Sequence, residues 1–149
     1  MTMTTFLSDR AKDQTRPTRL VIPLAPMAAP RNRTRCLGKG RGLNYMPSNY
    51  RIWRQHLSDH LAVLHHTIPC YEGPIEVSIG AFFKRPPTTK LLYPVPDVDN
   101  IAKAVLDGIQ GVSFVNDKQV IKLTIEKAWS QPGRPGFIVI NIVPTETEE

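Results

Sequence analysis

The sequence predicts an α+β fold, a single domain in which a mixed β-sheet of about four strands is flanked by two helices. Three observations lead there. Residues 19–24, 75–83, 120–129 and 137–143 read as strands, from apolar alternation or a near-continuous apolar run. Two stretches, residues 50–65 and residues 99 to about 108, carry apolar side chains at helical spacing. At 149 residues, 41% of them hydrophobic, the chain can build one modest core.

Taken in order, residues 1–18 are polar, mixed in charge and without period, which predicts a flexible arm. The first strand follows, and Pro23, which cannot donate to a ladder, puts it near a sheet edge. Residues 25–44 read as a long loop rich in Pro, Gly and Arg. Arg31, Arg33, Arg35, Lys39 and Arg41 lie in it without one acid. In extended chain the three alternating arginines face one way, and Gly38, Gly40 and Gly42 allow close approach, which suits contacts to phosphates. Pro47 and Ser48 signal the start of a helix whose Trp53, Leu57, Leu61 and Leu64 face a core. His56 and His60 have the spacing of zinc ligands. No glutamate follows His56, however, and only Cys70 or His65 is near enough in sequence to complete a set, so ordinary histidines are expected.

In residues 75–83, Ile75, Val77, Ile79, Ala81 and Phe83 alternate with more polar positions. Phe82 breaks the pattern and is a candidate contact with a dimer partner. Lys84-Arg85-Pro86-Pro87 ends that strand in a basic turn, and Lys84 and Arg85 are candidate clamps on a nucleic-acid backbone. In residues 120–129, Ile121, Leu123 and Ile125 alternate with Lys122, Thr124 and Glu126. Residues 137–143 are almost continuously apolar, as expected of a strand buried on both faces. Residues 144–149 form an acidic tail, expected to be disordered.

The chemistry concentrates between these last strands. Pro94 and Pro96 favour an extended approach, in which Asp97 and Asp99 point to the same side and form a pair of oxygen ligands. Asp99 is expected as the N-cap of the second helix, with Gly108 as the first breaker. Fourfold spacing then lines up Asp99, Lys103 and Asp107 opposite Ile101, Ala102, Val105, Leu106 and Ile109. Asp117 stands at the head of the strand that follows. Carboxylates gathered without a partner raise one another's pKa, so a fold that collects several normally holds a cation among them. Oxygen ligands without Cys or His favour Mg2+, with Mn2+ as a substitute. Lys103 is placed to neutralise a phosphate oxygen, and the helix N-terminus suits a phosphate as well.

The pattern Asp97-Val98-Asp99-Asn100, Lys103, Asp107 and Asp117-Lys118-Gln119-Val120 resembles the signature of the RusA family of Holliday junction resolvases. Upstream, Pro23-Leu24-Ala25-Pro26, an arginine-rich segment, and Tyr45-Met46-Pro47 leading to Tyr50 and Trp53 look like that family's N-terminal half. The likeness spans roughly residues 19–143. It implies a RusA-like nuclease domain in which Asp97, Asp99 and Asp117 hold divalent metal, Lys103 is an essential basic group and Asp107 a supporting acid. It also implies four-way junction or branched DNA as substrate, a homodimer, roles in recombination and repair, and a bacterial or phage origin. The chain has Asn116 where many relatives have a second Asp, so Asn116 is left out of the catalytic set.

Charge agrees with a polyanion partner. The net charge is +6 although the acids cluster at the expected site and in the tail, so the remaining surface is strongly basic. No apolar run approaches a membrane span, and residues 1–18 lack a signal-peptide core, so a cytoplasmic protein is expected. Cys36 and Cys70 are expected as free thiols. Two other functions are weighed. Dehalogenase-type phosphatases also use an Asp-x-Asp pair, but theirs follows a buried strand, not the proline-broken residues 91–96. A non-catalytic binder of branched DNA would be better off without acids that repel phosphate.

Overall fold

The computed structural model describes residues 12–30, 33–36, 42–45 and 47–146; for residues 33–36 and 42–45 the description is of the backbone. Strand β1 (Thr18–Ile22) buries Thr18, Leu20 and Ile22 and exposes Arg19 and Val21, the period-2 pattern of a strand with one covered face. It ends before Pro23, and the Leu24 N–H closes a tight turn on the Ile22 carbonyl (2.8 Å). Just upstream, Gln14 behaves like a strand partner. Its Nε2 donates to the Cys70 carbonyl and its Oε1 accepts from the Glu72 N–H, both at 2.9 Å.

The expected loop of residues 25–44 is interrupted by a hairpin. β2 (Arg33–Cys36) pairs antiparallel with β3 (Gly42–Tyr45), with Arg33 opposite Tyr45 and Arg35 opposite Leu43. Arg-Thr-Arg has the period of a strand but no apolar face, so hydrophobic alternation does not reveal it.

Helix α1 (Ser48–Leu64) begins after Pro47 and buries Tyr50, Trp53, Leu57 and Leu61 along one stripe. The Trp53 indole Nε1 donates to the Ala25 carbonyl (2.7 Å), satisfying its polar atom at the core boundary. The exposed His56 and the half-buried His60 lie on this helix.

β4 (Ile75–Phe83), helix α2 (Val98–Ile109) and β5 (Val120–Trp129) form a β-α-β unit, with β5 parallel to β4. β6 (Phe137–Pro144) returns antiparallel between β4 and β1, so the sheet order is β1-β6-β4-β5 and the sheet is mixed. β1 is an edge strand, as Pro23 requires. Both helices lie on one face, where Ile22, Val77, Ile79, Ile138, Ile140 and Ile142 meet Leu57, Val105 and Ile109 in the core.

Two expectations change here. β6 was expected to be buried on both faces. It alternates instead, with Ile138, Ile140 and Ile142 buried but Val139 and Asn141 half-exposed and Val143 exposed, because among the described residues no helix covers the second face. On that open face Phe82 stacks on Phe137, ring centroids 4.6 Å apart. Gly108 was expected to break α2, yet it lies inside the helix. A Cβ there would stand 2.2 Å from Leu57 Cδ2, so glycine is needed for the close crossing of α1 and α2. The terminator is Gly111, at φ +87° just beyond the helix. Among the described residues no helix is long and apolar enough to cross a membrane.

Candidate active site

Residues 84–96 carry the chain from the end of β4 to α2, and β5 holds that loop in place. Lys127 Nζ donates to the Pro96 carbonyl (2.7 Å), and Trp129 Nε1 donates to the Leu91 carbonyl (3.0 Å). The helix begins at once after Pro96. Asp97, not Asp99, is the N-cap, at φ −71° and ψ 137°, and its carbonyl accepts the Ile101 N–H (3.0 Å). Asp99 therefore stands inside the first helical turn, where its charge favours the helix dipole, and the two acids do not share an extended segment. The Asp97 side chain makes no capping hydrogen bond. An N-cap aspartate normally satisfies a free backbone N–H. This one leaves its carboxylate exposed and unused by the helix.

Asp99, Lys103 and Asp107 follow along one stripe of α2. Lys103 Nζ lies 3.5 Å from Asp107 Oδ2, an i,i+4 surface pair worth only a few tenths of a kcal/mol. Arg54, on α1, donates through Nη2 to the Asp107 backbone carbonyl (3.1 Å). Arg54 thus ties the C-terminal turn of the site helix to its neighbour; a lone arginine within a helical pattern gives no sequence signal for that role.

Asp117 opens a short 3-10 turn (Asp117–Gln119) ahead of β5. Asn116 Oδ1 accepts the Lys118 N–H (3.0 Å), and Gln119 Oε1 accepts the Asn116 N–H (2.8 Å), a reciprocal capping box. Gln119 Nε2 also donates to the carbonyls of Tyr71 (2.8 Å) and Gly73 (2.9 Å). Asn116 is thus engaged in holding the turn, and Gln119 fastens it to the buried Tyr71. The Tyr71 hydroxyl in turn binds Thr18 Oγ1 (2.7 Å) and donates to the Arg16 carbonyl; burial pushes its pKa up, which keeps it a donor. Sequence reading named Gln119 only as part of the signature and gave it no role, although its place three residues after Asn116 is the capping-box signal.

Between α2 and β5 lies a cavity of about 370 Å³. Its floor is apolar, from Ala102, Leu106, Leu123 and Ile125, and Asp99, Lys103, Asp107 and Asp117 line it as well. Four of the expected site residues are thus brought to one groove, and Asp97 stands at the N-cap of the same helix. β5 is an edge strand, which is why Leu123 and Ile121 stay partly exposed beside this groove. Asp97, Asp99 and Asp117 are exposed and form no ion pair among the described residues. Also among the described residues, no three His, Cys, Asp or Glu side chains stand close enough as a group to hold a metal ion. The donor chemistry fits a hard cation, since every acid offers only carboxylate oxygens and, among the described residues, no thiol or imidazole lines the groove. Seating an ion requires the carboxylates to draw closer together.

The arrangement differs from a dehalogenase-type phosphatase. Its Asp-x-Asp pair would end a buried strand, whereas Asp97 follows a loop and begins a helix.

Of the basic residues expected to touch nucleic acid, Lys84 and Arg85 are exposed on the loop that leads to Asp97. Arg33 and Arg35 lie two apart on β2. Arg31, Lys39 and Arg41 lie outside the described residues. Cys70 is a free thiol whose pKa is raised by burial and then by Glu72, which leaves it protonated and inert at neutral pH.

Comparison with curated proteins gives no match. The family model described as Endodeoxyribonuclease RusA matches residues 23–142, from the end of β1 through the loop, groove and capped turn to β6, and the chain therefore belongs to the RusA endodeoxyribonuclease family.

Proposed function

We propose that this endodeoxyribonuclease resolves Holliday junctions and related branched DNA by paired hydrolysis of phosphodiesters, with Mg2+ as cofactor and Mn2+ as a substitute. The observation that carries the proposal is the groove between α2 and β5, where Asp99, Lys103, Asp107 and Asp117 meet in a chain of net charge +6. A protein built only to bind DNA gains nothing from acids facing a phosphate. Asp97, Asp99 and Asp117, which form no ion pair among the described residues of a basic protein, are best explained by a cation.

Asp97, Asp99 and Asp117 would hold the ion. Such an ion, when bound, lowers the pKa of an attacking water and polarises the phosphate. Lys103 neutralises charge that develops on the phosphate oxygens, and Asp107, its i,i+4 partner, holds the ammonium over the groove. Asn116 and Gln119 position Asp117 from behind. Arg31, Arg33, Arg35, Lys39, Arg41, Lys84 and Arg85 grip the DNA backbone, fixing register without reading bases. The nuclease unit we propose is residues 18–144, one residue wider at each end than the expected 19–143 because Thr18 belongs to β1 and Pro144 to β6, and the arm before it is tied to the body at Gln14 and Arg16.

Resolution of a junction needs matched cuts in two strands. A symmetric homodimer carries two sites related by the same twofold as the substrate, so a dimer is the assembly we propose. The setting is recombination and repair in the cytoplasm of a bacterium, or of a bacterium carrying a phage.

Incubation of end-labelled four-way junction and linear duplex with the protein, with and without Mg2+, tests this directly. Symmetric cuts confined to the junction and to the Mg2+ lanes are expected. Equal cutting of both substrates would make the protein a general nuclease, and tight junction binding without cuts would make it an inert binder.

A further inference from the structure

Residues 84–96 place large apolar side chains in water beside the site. Leu92 is 87% exposed, Val95 70% and Tyr93 61%, and Val95 is only two residues from Asp97. A contiguous exposed apolar patch on a small protein marks a binding surface. The patch has not simply failed to collapse, because the loop is anchored from beneath. The Leu91 carbonyl accepts from Trp129 Nε1 (3.0 Å), and the Pro96 carbonyl accepts from Lys127 Nζ (2.7 Å). The same ammonium lies 5.6 Å from the Tyr93 ring centroid. Four prolines, at 86, 87, 94 and 96, restrict the backbone further. The scaffold holds Leu92 outward.

We infer that this loop is an apolar wedge, led by Leu92, that enters between bases at the branch point of the DNA and directs the enzyme to branched substrates. The inference rests on the proposed function. Charge selects the occupant: residues 84–96 contain Lys84, Arg85 and Lys90 and no acid. A second copy meeting this loop about a twofold would set those cations against themselves, whereas DNA supplies phosphates for the cations and base faces for the apolar tip. Leucine and proline side chains are among those that pry apart base steps in other DNA-bound proteins. In continuous duplex, entry requires a stacked step to be opened. At a branch the stack is already interrupted, so the wedge favours the junction over its arms.

The test uses a four-way junction carrying 2-aminopurine at the branch, bound by full-length protein with Ca2+ in place of Mg2+. Wild-type protein should raise the fluorescence severalfold as the base unstacks. Leu92→Ser should abolish the rise and lower the ratio of junction to duplex affinity by about tenfold, equivalent to about 1.4 kcal/mol. Leu92→Met should behave as wild type. An undiminished rise with Leu92→Ser would overturn the wedge. So would a change in sedimenting mass with that variant, which would assign the patch to contact between two copies. If wild-type protein cuts junctions with no fluorescence change, the wedge alone fails; if it neither prefers nor cuts junctions, the proposed function fails.

Discussion

Asp97 holds the N-cap of α2 but bonds no backbone N–H with its side chain. The purely structural arrangement, in which Asp99 would be the cap, is therefore not the one adopted: Asp97 is the N-cap, and its exposed carboxylate is left unused by the helix. If Asp97, Asp99 and Asp117 serve a cation, replacing any of them with Asn should reduce cleavage by about 10²–10³-fold, the cost of losing one electrostatic contact to a transition state. Junction binding should persist, and thermal melts without metal should show stability within about 0.5 kcal/mol of wild type, because like charges are being removed from exposed positions. Marked unfolding would make the acids structural. The Asp-x-Asp spacing, the fourfold stripe and Asp117 were all legible in the sequence. The cap was not, because Asp is equally suited to N-cap and first-turn positions, and only the backbone decides between them. Asn116 and Gln119 give a separate test of positioning. Asn116→Ala should cost about 1 kcal/mol from the lost cap and weaken cleavage without ending it, whereas Asn116→Asp should keep both, since Asp caps equally well.

At the scale of elements, the groove depends on where α2 lies, and α2 lies where Gly108 lets α1 approach. Gly108→Ala would put a methyl 2.2 Å from Leu57 Cδ2, so the fully buried Leu57 or the helix itself has to shift. A destabilisation of roughly 1–3 kcal/mol in urea titrations is expected, with cleavage lost in proportion as α2 shifts from β5. In the sequence this glycine resembled a helix end, because its packing partner is 51 positions away and invisible to local rules. The β2–β3 hairpin escaped for the opposite reason. Its alternation is of arginines, and a strand without an apolar face leaves no hydrophobic period. If the hairpin grips DNA, replacing Arg33 and Arg35 together with Ala should lower the slope of log affinity against log salt by about 2. An unchanged slope would remove it from the interface.

For the whole molecule, the arrangement of layers was legible and one face was not. Strand and helix periods gave a four-stranded sheet with two helices, which matches the order β1-β6-β4-β5. The apolar run of β6 suggested cover on both sides, but the helices occupy one side only, and the other presents Phe82 stacked on Phe137 with Val139 and Val143 nearby. Apolar content does not tell how many layers exist; that depends on which connections carry helices.

The account turns on whether three carboxylates contributed by two ends of the β-α-β unit share one ion. Binding of Mn2+, counted by the loss of its free electron paramagnetic resonance signal, measures this on wild-type protein and on the Asp97→Asn, Asp99→Asn and Asp117→Asn variants. We predict saturable binding in the wild type that competes with Mg2+ and is weakened at least about tenfold by each substitution. Wild-type affinity retained in the Asp117→Asn variant would contradict the shared site.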